Sequence, residues 1–100
     1  MPRCALLARL EAKPGQEEAV EQFLKSALPL AEAEPGTRTW FALRFGPTSF
    51  GIYDSFDTEA GRQAHLDGPI ATALLARAGE LFAQPPRIDK VDLLASKLPH

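Results

Sequence analysis

The sequence contains very little of several residue types on which common protein chemistries depend. Cys4 is the only cysteine among the 100 residues, so the chain has no internal disulfide, no CxxC motif and no iron–sulfur ligand set. Two histidines far apart in the chain and one cysteine do not make a metal coordination sphere. No glycine-rich phosphate-binding loop is present. We therefore expect neither a metal nor a cofactor.

The chain also lacks an excess of either charge and any long hydrophobic run. Its 11 basic and 13 acidic side chains give a net charge of −2, and no basic stripe is available to neutralise phosphates, so nucleic acid is not an expected partner. The longest apolar run is far shorter than a membrane span. The first four residues run into a strand without a signal-peptide pattern. These features predict one cytoplasmic domain over residues 1–100, with no membrane association.

What is present is a pattern of four strands and two helical segments. Strand-sized apolar runs cover residues 4–12, 37–45, 50–56 and 87–98. Apolar residues at helical spacing fill the first and last gaps, and Pro29 predicts a kink or an early end of the first helix. A short helix from Asp57 or Thr58 to Leu66 precedes one that Pro69 begins. The order βαββαβ predicts a ferredoxin-like α+β fold, an antiparallel sheet with helices on one face.

The two central strands form a hairpin around residues 46–49, with Pro47 at the second position of a four-residue turn. The register that we predict places Trp40 opposite Ser55, Ala42 opposite Tyr53, and Arg44 opposite Gly51, all on one face. Both sheet faces then carry large side chains, but the helices of one chain cover only one of them. A second copy of the same sheet would cover the other, so we expect a homodimer.

The face with Trp40, Tyr53 and Arg44 is the first candidate site, with Arg9 as a neighbour on the first strand. Aromatic rings offer stacking area, and guanidinium groups donate to a phenolate or a carboxylate, so the set suits a small aromatic ligand. The alternative is plain dimer packing, because aromatic residues and arginine are enriched at protein interfaces.

His65 is the second candidate. A helix C-terminus and nearby Asp67 both favour its protonated form. One hypothesis makes it a general base or proton shuttle at the mouth of a cavity between the sheet and the helices. The other makes it a partly exposed cap on the end of its own helix.

Four segments together resemble the antibiotic biosynthesis monooxygenase-like family: LLARLEAKPGQEEAVEQFL, AEPGTRTWFALR, FGIYDSFDTEAGRQAHL and KVDLLA. They span nearly all of the chain, and their order and spacing carry the resemblance. It implies a dimeric α+β barrel, in which two sheets pack face to face and the last strand often reaches across to the partner. It also implies a range of activities: cofactor-free oxygenation of polycyclic phenols, quinol oxidation, haem degradation, or none established.

The resemblance carries over unevenly to single residues. His65 matches a histidine that these proteins place on this helix, which is the iron ligand in the haem-degrading branch. That branch has a tryptophan where this chain has Phe56, and a first-strand asparagine that is absent here, so haem degradation is not expected. The cofactor-free oxygenases line their cavity with Trp, Asn, Tyr and Arg. Trp40, Tyr53 and Arg44 are of the right types, but the chain contains no asparagine.

The leading hypothesis is therefore an oxidoreductase, a cofactor-independent monooxygenase acting on a phenolic, polycyclic aromatic or quinol substrate. His65 would deprotonate the phenol, Arg44 or Arg9 would hold the oxyanion, and Trp40, Tyr53 and Phe56 would contact the ring. One alternative is a non-catalytic ligand-binding or stress-related dimer of the same fold. An RNA-binding module shares the element order but is less expected, because the strand SFGIYDSF carries an acid and no basic residue.

Overall fold

The computed structural model describes residues 2–99 and contains one mixed α+β unit. Its elements are β1 (Cys4–Glu11), α1 (Glu17–Ser26), α2 (Leu28–Glu32), β2 (Thr37–Arg44), β3 (Ser49–Phe56), α3 (Glu59–Leu66), α4 (Pro69–Leu81) and β4 (Arg87–Asp92). The strands form an antiparallel sheet in the order β2-β3-β1-β4. The predicted ferredoxin-like fold is confirmed.

The helix boundaries follow from local sequence chemistry. α1 ends at Ser26 and α2 begins at Leu28, because Pro29 has no N–H to donate to the preceding turn. The hydroxyl of Thr58 accepts the backbone N–H of Gly61 at 3.0 Å and caps α3. Pro69 is the first residue of α4. All three features match the predictions from the sequence.

One sheet face packs against the helices and forms the core. Alternate residues of β1 and β3 point to this side, as the two-residue period of a strand requires. The buried side chains of the main cluster come from both strands and from α1 and α4: Ala8, Leu10, Val20, Phe23, Leu24, Phe50, Ile52, Leu74 and Leu81.

The β2–β3 register differs by one residue from our prediction. Pro47 lies at the second position of the turn as expected, and the Ser49 N–H donates to the Gly46 carbonyl at 3.3 Å, but Ser49 already belongs to β3. However, Trp40 is paired with Asp54 and Arg44 with Phe50. The predicted register, which placed Trp40 and Arg44 on the same sheet face as Tyr53, is therefore wrong.

A slip of one residue exchanges the two faces of a strand, so Trp40 and Arg44 lie on the helix side of the sheet. Two features account for the difference. The strands pair one residue closer to the turn than predicted, since the Phe45 N–H donates to the Ser49 carbonyl at 2.8 Å, and the turn sets the register of a hairpin. The indole of Trp40 also packs into the cluster formed by Ala27, Ala31 and Ile70. This packing buries apolar area that would be exposed to water on the opposite face of the sheet.

The sheet face turned away from the helices, called the open face below, carries exposed aromatic residues. Phe41 and Phe45 are 53% and 52% exposed. Phe41 stacks on Tyr53 with ring centroids 6.3 Å apart, and the Arg9 guanidinium lies 5.3 Å from the Phe45 ring centroid. Within residues 2–99 the chain leaves this face uncovered.

β4 is shorter than predicted. It ends at Asp92, not at residue 98, because Asp92 is paired with Cys4, the first residue of its neighbour β1. Beyond it Leu94 is 97% exposed. None of the helices in the described part of the chain is long and apolar enough to cross a membrane.

Candidate functional site

His65 lies buried between two carboxylates from other parts of the chain. Its side chain is 7% exposed, its Nδ1 is 2.7 Å from Oε1 of Glu34, and its Nε2 is 2.8 Å from Oδ2 of Asp54. The Phe56 ring lies against the imidazole, with centroids 5.4 Å apart. His65 thus links α3, the central strand β3 and the turn that precedes β2.

Two close contacts hold α3 where His65 can reach both carboxylates. A Cβ on Gly36 would lie 3.2 Å from the Cα of Gly61, so only glycine lets the first turn of α3 approach the start of β2 so closely. On the other side, the buried Arg62 guanidinium donates to the Ala5 and Val91 carbonyls at 3.1 and 3.2 Å. These contacts fix the helix against β1 and β4.

The two carboxylates set the charge of His65. Burial alone would lower its pKa, but the hydrogen bond and charge of Asp54, followed by those of Glu34, outweigh burial and raise the pKa of His65 to about 9. At neutral pH the ring is therefore an imidazolium that donates both N–H groups. An imidazolium has no free lone pair, so this geometry does not support the general-base role that we expected for His65.

The two carboxylate oxygens of Asp54 differ in their surroundings. The residue is 1% exposed. Its Oδ2 faces His65, whereas its Oδ1 is buried and has no hydrogen-bond partner among residues 2–99. An unsatisfied buried acceptor is costly, and native structures retain few of them. The arrangement suits a ligand that donates a hydrogen bond to Oδ1.

Asp54 and His65 line a small space between the sheet and the helices, called the inner cavity below. Its volume is about 30 Å³, room for a molecule of about the size of water. Ile88, which is 38% exposed, lies at its rim on β4. The other lining side chains are all apolar: Leu6, Ala8, Ile52, Leu66, Ile70, Ala71 and Leu74.

A larger cleft lies on the Glu34 side of His65. It has a volume of about 360 Å³ and is formed by the turn before β2, by α3 and by the start of α4. Glu34 and His65 both line it, and the Glu34 side chain is 16% exposed. The imidazole therefore separates this cleft from the inner cavity.

The residues predicted from the sequence are not brought together in one site. His65 lines the inner cavity, whereas Phe56 is fully buried, packs with Cys4 and Leu6, and lies against the imidazole of His65. Trp40 is the cross-strand neighbour of Asp54. The others lie elsewhere. Tyr53 and Arg9 are on the open face, and Arg44 pairs with Glu21 at the surface and lies over the Phe50 ring.

Asp54 and Glu34 are the residues that the sequence analysis missed. For Asp54 a signal was available, since it follows Phe50 and Ile52 at a spacing of two and precedes Phe56 at the same spacing. A carboxylate in phase with a buried face is rarely kept without a partner. Glu34 gives no such signal, because it lies in a turn between α2 and β2.

The whole chain has relatives of the same fold. The family model for antibiotic biosynthesis monooxygenase matches residues 4–77. A Nitrosomonas europaea protein of unknown function is 63% identical, with 100% of this chain and 97% of that chain covered and a TM-score of 0.97. The chain belongs to the antibiotic biosynthesis monooxygenase family. The resemblance noted in the sequence is thus confirmed.

More distant solved structures support the architecture alone. A Pseudomonas aeruginosa protein is 23% identical over 95% of this chain and 97% of that chain, with a TM-score of 0.80. A second Nitrosomonas europaea protein, provisionally named an antibiotic biosynthesis monooxygenase, is 18% identical over 92% of this chain and 99% of that chain, with a TM-score of 0.81. No curated protein matches the chain.

Proposed function

We propose that this family member is a cofactor-independent monooxygenase that oxidises a small phenol or quinol, with Asp54 as the general base. The proposal rests on Oδ1 of Asp54, a buried atom that receives no hydrogen bond from residues 2–99, on a side chain that lines the inner cavity. A general base has to lie within hydrogen-bond reach of the proton that it removes. Oδ1 belongs to a side chain that lines the inner cavity, and no donor among residues 2–99 occupies it.

In the proposed reaction, Asp54 accepts the proton of the substrate hydroxyl on Oδ1. The His65 imidazolium, 2.8 Å from Oδ2, stays in place as a fixed positive charge beside the phenolate, and its effect is strong because the site is buried. The electron-rich anion then passes an electron to dioxygen. For phenol, one oxygen atom enters the ring, the other leaves as water, and the product is a quinone. For a quinol, dioxygen is reduced to hydrogen peroxide.

The size of the inner cavity favours a substrate with one ring. Binding sites for small molecules have volumes of roughly 300 Å³ or more, whereas the inner cavity has about 30 Å³. Even a single ring enters only if β4 and α4 move apart at the rim near Ile88. A polycyclic phenol would require a much larger rearrangement, so we do not extend the proposal to it.

Oxygen consumption tests this function. We expect the purified protein to accelerate oxygen uptake with phenol or hydroquinone above autoxidation, and Asp54→Asn to lower kcat roughly 100-fold because the amide is not a base. Asp67→Asn is the matched control, since this exposed carboxylate lies just after α3 and should leave the rate unchanged. Uptake that is no faster than autoxidation, or equal in both variants, would rule out the proposal.

The second candidate is a non-catalytic ligand-binding protein of the same fold, and the cleft of about 360 Å³ on the Glu34 side of His65 favours it, because that volume is sufficient for an aromatic ligand. This function predicts saturable binding of an aromatic compound with no oxygen consumption in air. The same electrode experiment, combined with a binding titration, separates the two candidates.

We also propose that the protein is a homodimer in the cytoplasm, as the sequence led us to expect. The open face supports the dimer, because Phe41 and Phe45 are half exposed beside Tyr53. Contiguous exposed aromatic surface of this kind is typical of an interface. A second copy of the sheet, placed against the open face, would bury it.

A further inference from the structure

Two buried polar atoms lack hydrogen-bond partners among the described residues, and they differ in kind. Nε1 of Trp40 is a donor only, whereas Oδ1 of Asp54 is an acceptor when the carboxylate is ionised. Each is unfavourable in isolation, because a buried polar group that has left water needs a replacement partner. A pair made of one donor and one acceptor has a simple common solution, a single group that can accept from one and donate to the other.

Trp40 and Asp54 are also neighbours in the sheet. They are directly paired across β2 and β3, and both point to the helix side. Cβ atoms of such a pair are about 5 Å apart, so the two side chains start from neighbouring positions on the same face. Ile70 joins the two environments, since it packs against Trp40 and also lines the inner cavity.

We infer that Trp40 and Asp54 form a hydroxyl-binding subsite, in which a ligand hydroxyl accepts the Nε1–H of Trp40 and donates its own proton to Oδ1 of Asp54. The ligand class is an uncharged, largely apolar molecule with a hydroxyl group. This inference rests on the proposed function, in which a ligand occupies the inner cavity, and it names the class of ligand that binds there. It requires no turnover.

Ethers, ketones, ammonium groups and carboxylates each fail at one of the two atoms. An ether or a ketone can accept from Trp40 but has no proton for Asp54. An ammonium group can donate to Asp54 but cannot accept from Trp40. A carboxylate would place a second negative charge against Asp54 in an apolar environment, which is unfavourable. A site built to bind a hydroxyl discriminates strongly against an analogue that lacks it, because its own polar groups are then left unpaired.

The subsite is tested with phenol and anisole, which differ only in the hydroxyl proton being replaced by a methyl group. Affinities are measured by NMR titration of the protein under nitrogen, so that no oxidation takes place. We expect wild type to bind phenol at least about tenfold more tightly than anisole. Trp40→Phe keeps an aromatic ring but removes the N–H, and should reduce this preference to about threefold or less.

Phe41→Leu is the matched control, because Phe41 is the next residue on β2 and lies on the open face. It should keep the full preference. Asp54→Asn, which removes the carboxylate with little change of shape, should reduce the preference as Trp40→Phe does. If that variant does not fold, Trp40→Phe alone still decides the question.

Several results would overturn the inference: equal affinities in wild type, no binding of either compound, or an unchanged preference in Trp40→Phe. Equal affinities would mean that the two atoms share a buried water molecule and do not distinguish phenol from anisole. A tenfold preference that depends on Trp40, found in a protein that consumes no oxygen with phenol, would refute the proposed oxygenase function and leave the subsite intact.

Discussion

Nε2 of His65 lies 2.8 Å from Oδ2 of Asp54, inside the protein and beneath α3. Its other nitrogen is equally close to Glu34, so one buried cation is shared by two carboxylates. Such an arrangement is stable only when every partner is present, because removal of one leaves a buried charge uncompensated. The same geometry keeps one oxygen of Asp54 available to a ligand.

The stability of the protein should fall as the pH rises above neutrality. The folded-state pKa of His65, about 9, lies above the ordinary value of 6.5, so its contribution is complete below pH 6.5 and is lost as the pH passes 9. The shift corresponds to about 3 kcal/mol of unfolding free energy. Urea denaturation across this range measures it.

His65→Gln is the control for that experiment, since other groups also titrate near pH 9. The variant should be less stable than wild type at pH 6.5, and the difference between the two proteins should shrink towards alkaline pH. A difference that stays constant from pH 6.5 to 9 would show that His65 is not held as a cation.

The contact between Gly36 and Gly61 should be sensitive to a single methyl group. Gly36→Ala places a Cβ about 3.2 Å from the Cα of Gly61, which forces α3 away from β2 and costs roughly 1–3 kcal/mol. Gly79→Ala is the control, because that position in α4 has open space around a new Cβ. It should stabilise the protein by up to about 1 kcal/mol. Thermal or urea unfolding of both variants checks the prediction, and equal stabilities would contradict it.

The dimer should depend on the open face. Phe41→Glu places a charge in the centre of the proposed interface and should convert dimers to single chains in size-exclusion chromatography with light scattering. Leu75→Glu introduces the same charge at a residue of α4 that is 62% exposed, and should leave the dimer intact. A wild-type protein that is already monomeric at micromolar concentration would refute the dimer itself.

The sequence determined the fold more completely than the site. Element order and helix ends could be predicted, because proline positions and hydrophobic spacing act locally. The β2–β3 register could not, since it depends on whether Ser49 stays in the turn or pairs with Phe45 and on the packing of Trp40 against helices distant in sequence. Because of this one-residue difference in register, Trp40 and Arg44 lie on the opposite sheet face from the one that we predicted. His65 was found, but its partners Asp54 and Glu34 come together only through tertiary structure.

NMR spectra of the His65 imidazole nitrogens report the charge of this residue, on which both the ion-pair arrangement and the assignment of Asp54 depend. In a His100→Gln variant, His65 is the only histidine, so its signals need no further assignment. We predict the imidazolium form at neutral pH, donation from both nitrogens, and a titration midpoint near pH 9. A neutral ring at pH 7 with a midpoint at or below 6.5 would contradict the ion-pair arrangement, and with it the reason for assigning Asp54 as the base.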